Sequence, residues 1–243
     1  MAAVLIPAYN EARGIGATLE ALARQTDLDF RLLVVDNGST DDTTTVVRTF
    51  AADAPFPVEV VVEPAKGVGC AADTGARRLI ADGEAWFART DADCLPEPGW
   101  FAAARRAVEA GADLVCGAIT ARRDECGWWE RALFAGQVRL AAWFGRWRPA
   151  NRGPQYRSPY RMHAGNNMAV RAEAYVASGG WPRRGAPTDR TFLNRMRATT
   201  PRIVQARDMV SANSTRRLRA MGAIGTARWY LGHGARGREE DPR

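Results

Sequence analysis

Asp91 and Asp93 stand one residue apart at the end of an apolar run, in the stretch "WFARTDADCLPEPGW" at 86–100. Two carboxylates that close repel each other unless a cation lies between them. Hard carboxylate oxygens at a strand end suit Mg2+ or Mn2+, ions that usually share their shell with substrate phosphates. A turn held by local aspartate hydrogen bonds is the plainer alternative. Three more polar clusters follow apolar runs: "PAYNE" at 7–11, "DNGSTDD" at 36–42 and "EPAKGVG" at 63–69. In parallel α/β sheets, ligands lie beyond the carboxyl ends of the strands. Taken together the four clusters describe one crevice lined by carboxylates, hydroxyls, backbone donors and Lys66, the only lysine in the chain. Taken singly, Asp36 reads equally well as a helix-capping turn, and a solvated cation is the lesser alternative for Lys66.

The elements that must position these groups alternate. "AVLIPAY", "FRLLVVD", "VEVVVE", "AWFARTDAD" and "ADLVCGAIT" read as strands, and the segments between them have helical spacing, as at Ile15, Leu19 and Leu22. This rhythm predicts parallel β-α-β units in an α/β fold, a mostly parallel central sheet flanked by helices on both faces. Ser39 or Thr40 is expected to cap the second helix. Past residue 122 the rhythm breaks. "CGWWERALFAGQVRLAAWFGRW" predicts a helix whose aromatics pack into the core, with an amphipathic face for a lipid-linked acceptor as the alternative. "RPANRGPQYRSPYR", which is rich in arginine and proline and has no acid, predicts a mobile loop. Beyond it, "NNMAVRAEAYVASGG" predicts a strand and a short helix, and "TDRTFLNRMRATT" and "NSTRRLRAMGAIGTARWYL" predict helices. A disordered tail is expected over 233–243.

Composition narrows the classes. The 243 residues are 25% charged and 46% hydrophobic, an ordinary globular balance. The net charge of +7 is carried almost wholly by arginine; it suits phosphates, nucleotides or an acidic membrane surface. No zinc-finger, RNA-binding or basic heptad signature accompanies it, so no nucleic-acid partner is expected. Four scattered cysteines and two histidines disfavour a zinc site and predict free buried thiols. There is no signal-peptide pattern and no apolar stretch near the roughly 20 residues of a bilayer span. A cytoplasmic protein is expected, with peripheral contact at the inner membrane face.

The set "VLIPAYNEARGIGATLEAL", "LLVVDNGSTDDT", "KGVGCAADTGA", "TDADCLPEPGW", "AGNNMAVRAEAY" and "TDRTFLNRMR" resembles glycosyltransferase family 2, transferases with the GT-A fold, over about residues 3–200. The resemblance implies a single domain over 1–232, with a Rossmann-like nucleotide-binding half (1–122) and an acceptor-binding half (123–232). It implies that Pro7, Ala8, Tyr9 and Glu11 line the pocket for base and ribose, that Asp36 bonds the base and that Lys66 lies near the nucleotide or its phosphates. Asp91 would face the ribose or metal side, beside Ala92, and Asp93 would ligate Mg2+ or Mn2+. The turn Gly165–Asn166–Asn167 would shape the donor and acceptor pocket. The family's acidic pair reads Thr188-Asp189 here, with Phe192 and Arg195 at the expected spacing. Asp189 fits the general base; the threonine departs from the pattern. Arg216 or Arg217 would close over the diphosphate. The implied donor is a UDP- or GDP-linked sugar; the acceptor is a hydroxyl whose carrier the sequence does not fix, a lipid-linked carrier and a glycan being the candidates. Without a Q-x-x-R-W motif, one sugar is expected per reaction, transferred with inversion. Two rivals are a sugar-nucleotide nucleotidyltransferase, whose Gly-rich triphosphate loop "PAYNEARG" does not supply, and a degenerate nucleotide-binding module, supported by Thr188.

Overall fold

The structure, a computed structural model, describes residues 2–161, 164–183 and 188–216. The predicted alternation appears as β1 (Ala2–Ala8), α1 (Ile15–Ala23), β2 (Arg31–Asp36), α2 (Thr43–Ala51), β3 (Val58–Val62), α3 (Val68–Ala81), β4 (Trp86–Thr90), β5 (Leu95–Pro96), α4 (Trp100–Glu109) and β6 (Leu114–Ala121). The second half adds α5 (Trp128–Trp147), β7 (Asn167–Arg171), α6 (Ala172–Ser178), α7 (Thr188–Thr199) and β8 (Ile203–Asn213). The strands form one sheet in the order β3-β2-β1-β4-β7-β6-β8-β5. The first four strands are mutually parallel. β7 runs against both β4 and β6, so β6 keeps the direction of β4, and β8 runs parallel to β6. This is an α/β fold with a mixed, mostly parallel sheet, as the sequence predicts.

Both faces of the sheet are covered, and β1 shows why the strands are apolar throughout. Val4 and Ile6 join Ile15, Leu19 and Leu22 of α1 in one core. Ala3 and Leu5 face the other, with Ala72, Ala76 and Leu79 of α3. Leu5, Ile6 and Leu19 are fully buried, each worth about 1.5–3 kcal/mol over exposure. The carboxyl ends of β1, β2, β3 and β4 therefore meet at one edge, carrying the four polar clusters.

Several expectations are corrected. The aromatics of α5 do not pack into the core: its only buried residue is Gly145, and Trp128, Trp129, Trp143 and Trp147 are exposed. Only the side of α5 carrying Phe134, Val138 and Gly145 is turned toward the other described residues. The arginine-proline segment is anchored. Arg157 N donates to Arg197 O at 2.7 Å, Ser158 Oγ donates to Thr200 O at 2.8 Å, and Arg197 reaches back to Ser158 O and Asn151 O. Ser39 and Thr40 do not cap α2, which starts later; Asp41 Oδ1 accepts from Thr43 N at 3.0 Å instead. β8 was not predicted because its burial does not alternate cleanly and its register against β6 shifts at Gly117/Ala118. The four cysteines are free and buried, as expected. Arg217, most of the last predicted helix and the tail lie outside the described residues.

Candidate active site

The loops after β1 and β2 are stitched together. Asn10 N donates to Ser39 Oγ, Thr40 N to Asn10 Oδ1 and Glu11 N to Thr43 Oγ1, all between 2.8 and 3.0 Å. Asn37 joins in the third cluster: its amide donates to Glu63 O and Ala65 O, both at 2.8 Å, and accepts from Gly67 N at 2.7 Å. Lys66 Nζ donates to Gly38 O at 2.8 Å and lies 4.3 Å from the centre of the Tyr9 ring. Tyr9 and Lys66 thus form a cation–π lip at the crevice mouth, above buried Pro7 and Ala8. The buried Asp36 carboxylate accepts from Gly38 N and Ser39 N at 3.1–3.3 Å, the geometry of an aspartate turn.

The floor of the crevice contains two carboxylate pairs, each bridged by an arginine. In the first, Arg216 Nη2 lies 2.8 and 3.1 Å from the two oxygens of buried Glu11 and 3.0 Å from Asp93 Oδ2. Burial alone would pull the Arg216 guanidinium down, but Glu11 and Asp93 outweigh it and hold the group firmly charged. The backbone at Arg216 is fixed from α5's approach: Glu125 accepts from Ser214 Oγ at 2.8 Å and Thr215 N at 2.7 Å. Arg122 links the two, 3.1 Å from Glu125 and donating to Asp93 O at 3.3 Å. Sequence reading missed Arg122 and Glu125; only the tertiary fold joins them to a site about 90 residues away along the chain.

In the second pair, Arg89 of β4 is 1% exposed and forks. Its Nη2 donates to Asp91 Oδ1 at 3.1 Å and its Nη1 to Asp189 Oδ1 at 3.2 Å. Trp181 braces the guanidinium, 5.1 Å from its ring centre. Burial opposes the charge, but Asp91 and Asp189 prevail and raise the guanidinium above its ordinary value. Sequence reading missed Arg89 too, although the period of two along β4 places Phe87, Arg89 and Asp91 on one face. An arginine inside an apolar strand, two residues before an acid, was the available signal.

Asp189 sits in the first turn of α7. Its carboxylate lies over Gly165, where an added Cβ would fall 2.0 Å from Asp189 Cγ. Only glycine permits that approach. Thr188 fills a similar gap: its methyl would lie 2.9 Å from a Cβ at Gly69 of α3. Phe192 is buried against Trp181, with ring centres 4.4 Å apart, and Arg195 donates to Gly180 O at 2.9 Å; both fix α7. The two asparagines of the turn diverge. Asn166 Nδ2 donates to Cys94 Sγ at 3.1 Å, beside Asp93. Asn167 points into the core, accepting from Trp100 Nε1 at 2.7 Å and donating to Ala118 O and Met209 O. Ala92 is buried and its carbonyl accepts from Thr18 Oγ1 at 2.9 Å. Burial, then Asp93 and Asp91, push the Cys94 thiol well above its ordinary range, so it stays neutral.

The structure therefore brings Glu11, Asp93 and Arg216 together, and Asp91 with Asp189; Arg217 lies outside the described residues. Among the described residues, no three His, Cys, Asp or Glu side chains form a complete metal cage. The oxygens present suit an ion that takes much of its shell from phosphate, and the Arg216 guanidinium already occupies a cation position against Asp93.

A crevice at the strand ends of a mostly parallel sheet is a ligand site in many α/β folds, and comparison with known proteins narrows the class. The model for glycosyl transferase family 2 matches residues 3–184. The chain belongs to that family. Glycosyltransferase AglE of Haloferax volcanii is 35% identical over 120 residues, covering 48% of this chain and 38% of that protein. An uncharacterized glycosyltransferase of Mycobacterium tuberculosis is 37% identical over 114 residues, covering 47% of this chain and 46% of its own. The matched stretch thus spans less than half of either relative. Among solved structures, mannosyltransferase PcManGT from Pyrobaculum calidifontis, in complex with GDP-Man and Mn2+, superposes with a TM-score of 0.66 at 21% identity, covering 98% of this chain and 65% of that one. Glucosyl-3-phosphoglycerate synthase from Mycobacterium tuberculosis, in complex with Mn2+ and UDP-glucose, gives 0.57 at 20% identity, covering 98% and 80%. These likenesses establish the GT-A fold. Membership of family 2 rests on the family model matched over residues 3–184, and it sets the nucleotidyltransferase reading aside.

Proposed function

We propose that the protein transfers one sugar from a UDP- or GDP-linked donor to an acceptor hydroxyl with inversion at the anomeric carbon, and that Asp189 is the general base. The observation that carries this reading is the Arg89 fork, which ties the first acid of the D-x-D pair to the acid at the start of α7. Base and ribose rest between Tyr9, Lys66 and Asp36. Arg216, delivered by Glu125, supplies positive charge to the diphosphate. Asp93, with Asp91 beside it, would hold Mg2+ or Mn2+, which when bound offsets the charge that gathers on the leaving diphosphate.

Asp189 accepts the proton of the acceptor hydroxyl. That oxygen forms the new bond to the anomeric carbon as the bond from this carbon to the diphosphate oxygen breaks on the opposite face. The nucleoside diphosphate departs with the bonding pair. Arg89 keeps the Asp189 carboxylate aimed while donating to only one of its oxygens in this geometry. The donor classes are those named in the complexes of the fold relatives.

The test is Asp189→Asn. Loss of a general base costs roughly 10²–10⁴-fold in kcat, and donor KM and melting temperature should change little. Full activity in this variant would remove Asp189 from the base role.

A further inference from the structure

We propose that the outward face of α5 docks on a bilayer surface carrying anionic lipid headgroups. The helix is inverted relative to an ordinary surface helix. Trp128, Trp129, Leu140, Trp143, Phe144 and Trp147 are each between 50% and 76% exposed. At about 100° per residue they fall within one arc of roughly 160°. Phe134 and Val138, on the opposite side, are half-buried, and Gly145 is buried there. An apolar arc facing away from the molecule is the pattern of a helix lying in a membrane interface.

Charge selects the occupant. From residue 128 to residue 161 there are seven arginines and one acid, Glu130. That acid is spent on the helix start, accepting from Gly127 N at 2.8 Å. Arg139 and Arg146 are exposed at the rim of the apolar arc. Arg152 lies over Trp147, 4.4 Å from the ring centre, adding a guanidinium to the same edge. Long arginine stems lie along apolar surface while their heads reach phosphate. A second copy of the chain would bring the same positive rim to the same face, and the net charge of +7 opposes that pairing. No described helix is long and apolar enough to cross a membrane, so the contact would lie on the surface. Both ends of α5 are tied to the site. Its start follows the Arg122–Glu125 pair, and beyond its end Asn151 accepts from Asn194 of α7 at 3.1 Å. Docking would therefore hold the crevice close to the headgroups, whatever sugar is transferred.

The test uses the full chain with phosphatidylcholine vesicles, with and without phosphatidylglycerol, read by co-sedimentation and tryptophan emission. Binding is expected to the anionic vesicles, with a blue-shifted emission, and to weaken as salt rises. Trp143→Ser/Trp147→Ser should weaken it by about tenfold or more. Arg139→Glu/Arg146→Glu should abolish the preference for anionic vesicles. All four side chains are exposed, so unchanged melting temperatures confirm folded variants. Binding to neither vesicle, or binding unaltered in the tryptophan variant, overturns the proposal. So does a dimer seen by light scattering that the tryptophan variant dissolves, without vesicle binding; that result assigns the face to a second copy.

Discussion

Arg89 carries a full charge into a strand that has almost no contact with water. Such a group is tolerated only where partners compensate it, and stripping a buried pair of one member commonly costs about 3–5 kcal/mol. Its partners, the Asp91 and Asp189 side chains, are 27% and 38% exposed and can recruit water. The expected cost of Arg89→Met is therefore smaller, about 1–3 kcal/mol. Arg89→Lys is the sharper variant. An ammonium is a point charge and cannot fork to both acids. Most of the stability should return with lysine while kcat stays at least about tenfold down, since misaimed catalytic groups are costly. Recovery of kcat together with melting temperature would reduce Arg89 to a structural ion. At this scale the sequence was partly legible. Asp91 and Asp93 announced themselves by spacing, Lys66 by being alone. Arg89 was visible in the period of its strand, whereas Glu125 gains meaning only beside Ser214.

At the level of elements, the turn before β7 and the start of α7 behave as one part. Gly165 leaves the space that the Asp189 carboxylate fills. Trp100 anchors Asn167 two residues on, and Phe192 anchors the helix. Gly165→Ala should push the Asp189 side chain aside without unfolding the sheet. The expected result is a fall in kcat approaching that of Asp189→Asn, with nucleotide affinity kept, measured by steady-state kinetics and by calorimetric titration of the nucleoside diphosphate. The strands and helices of the first half were readable because both faces of each strand are buried and turn residues punctuate them. β8 and the outward face of α5 were not. The first follows a broken register, and the second breaks the rule that large apolar side chains seek the core. The anchored loop at 148–161 misled for a related reason: its composition is that of a mobile segment, and its hydrogen-bond partners are supplied by α7 and the chain just after it.

For the molecule as a whole, buried carboxylates couple the halves and contribute to the loss of stability expected in acid. Burial pushes the Glu63 carboxyl up, but Thr74, Arg183 and Ala65 N hold it below its usual range. Burial likewise pushes Asp113 up, and Arg202 and Thr200 outweigh it. Both titrate lower in the folded chain than in the unfolded one. Their stabilisation is complete above the unfolded carboxylate range near pH ~4 and drains away as pH falls through the lower folded values. The melting temperature should be nearly level from neutral pH down to about pH 5 and then drop. Glu63→Gln with Asp113→Asn should lower the neutral-pH value and flatten that drop. The central claim, a metal-assisted nucleotide site at the strand ends, is tested most directly by thermal shift with UDP and GDP, each with and without Mn2+, on the native chain and on Asp93→Asn. A ligand at about 100 times its Kd adds about 2.7 kcal/mol, a rise of roughly 5–10 °C for a chain of this size. The expected result is that rise for one nucleotide, only with Mn2+, and its loss in Asp93→Asn. An equal rise in the variant, or none with either nucleotide, would contradict it.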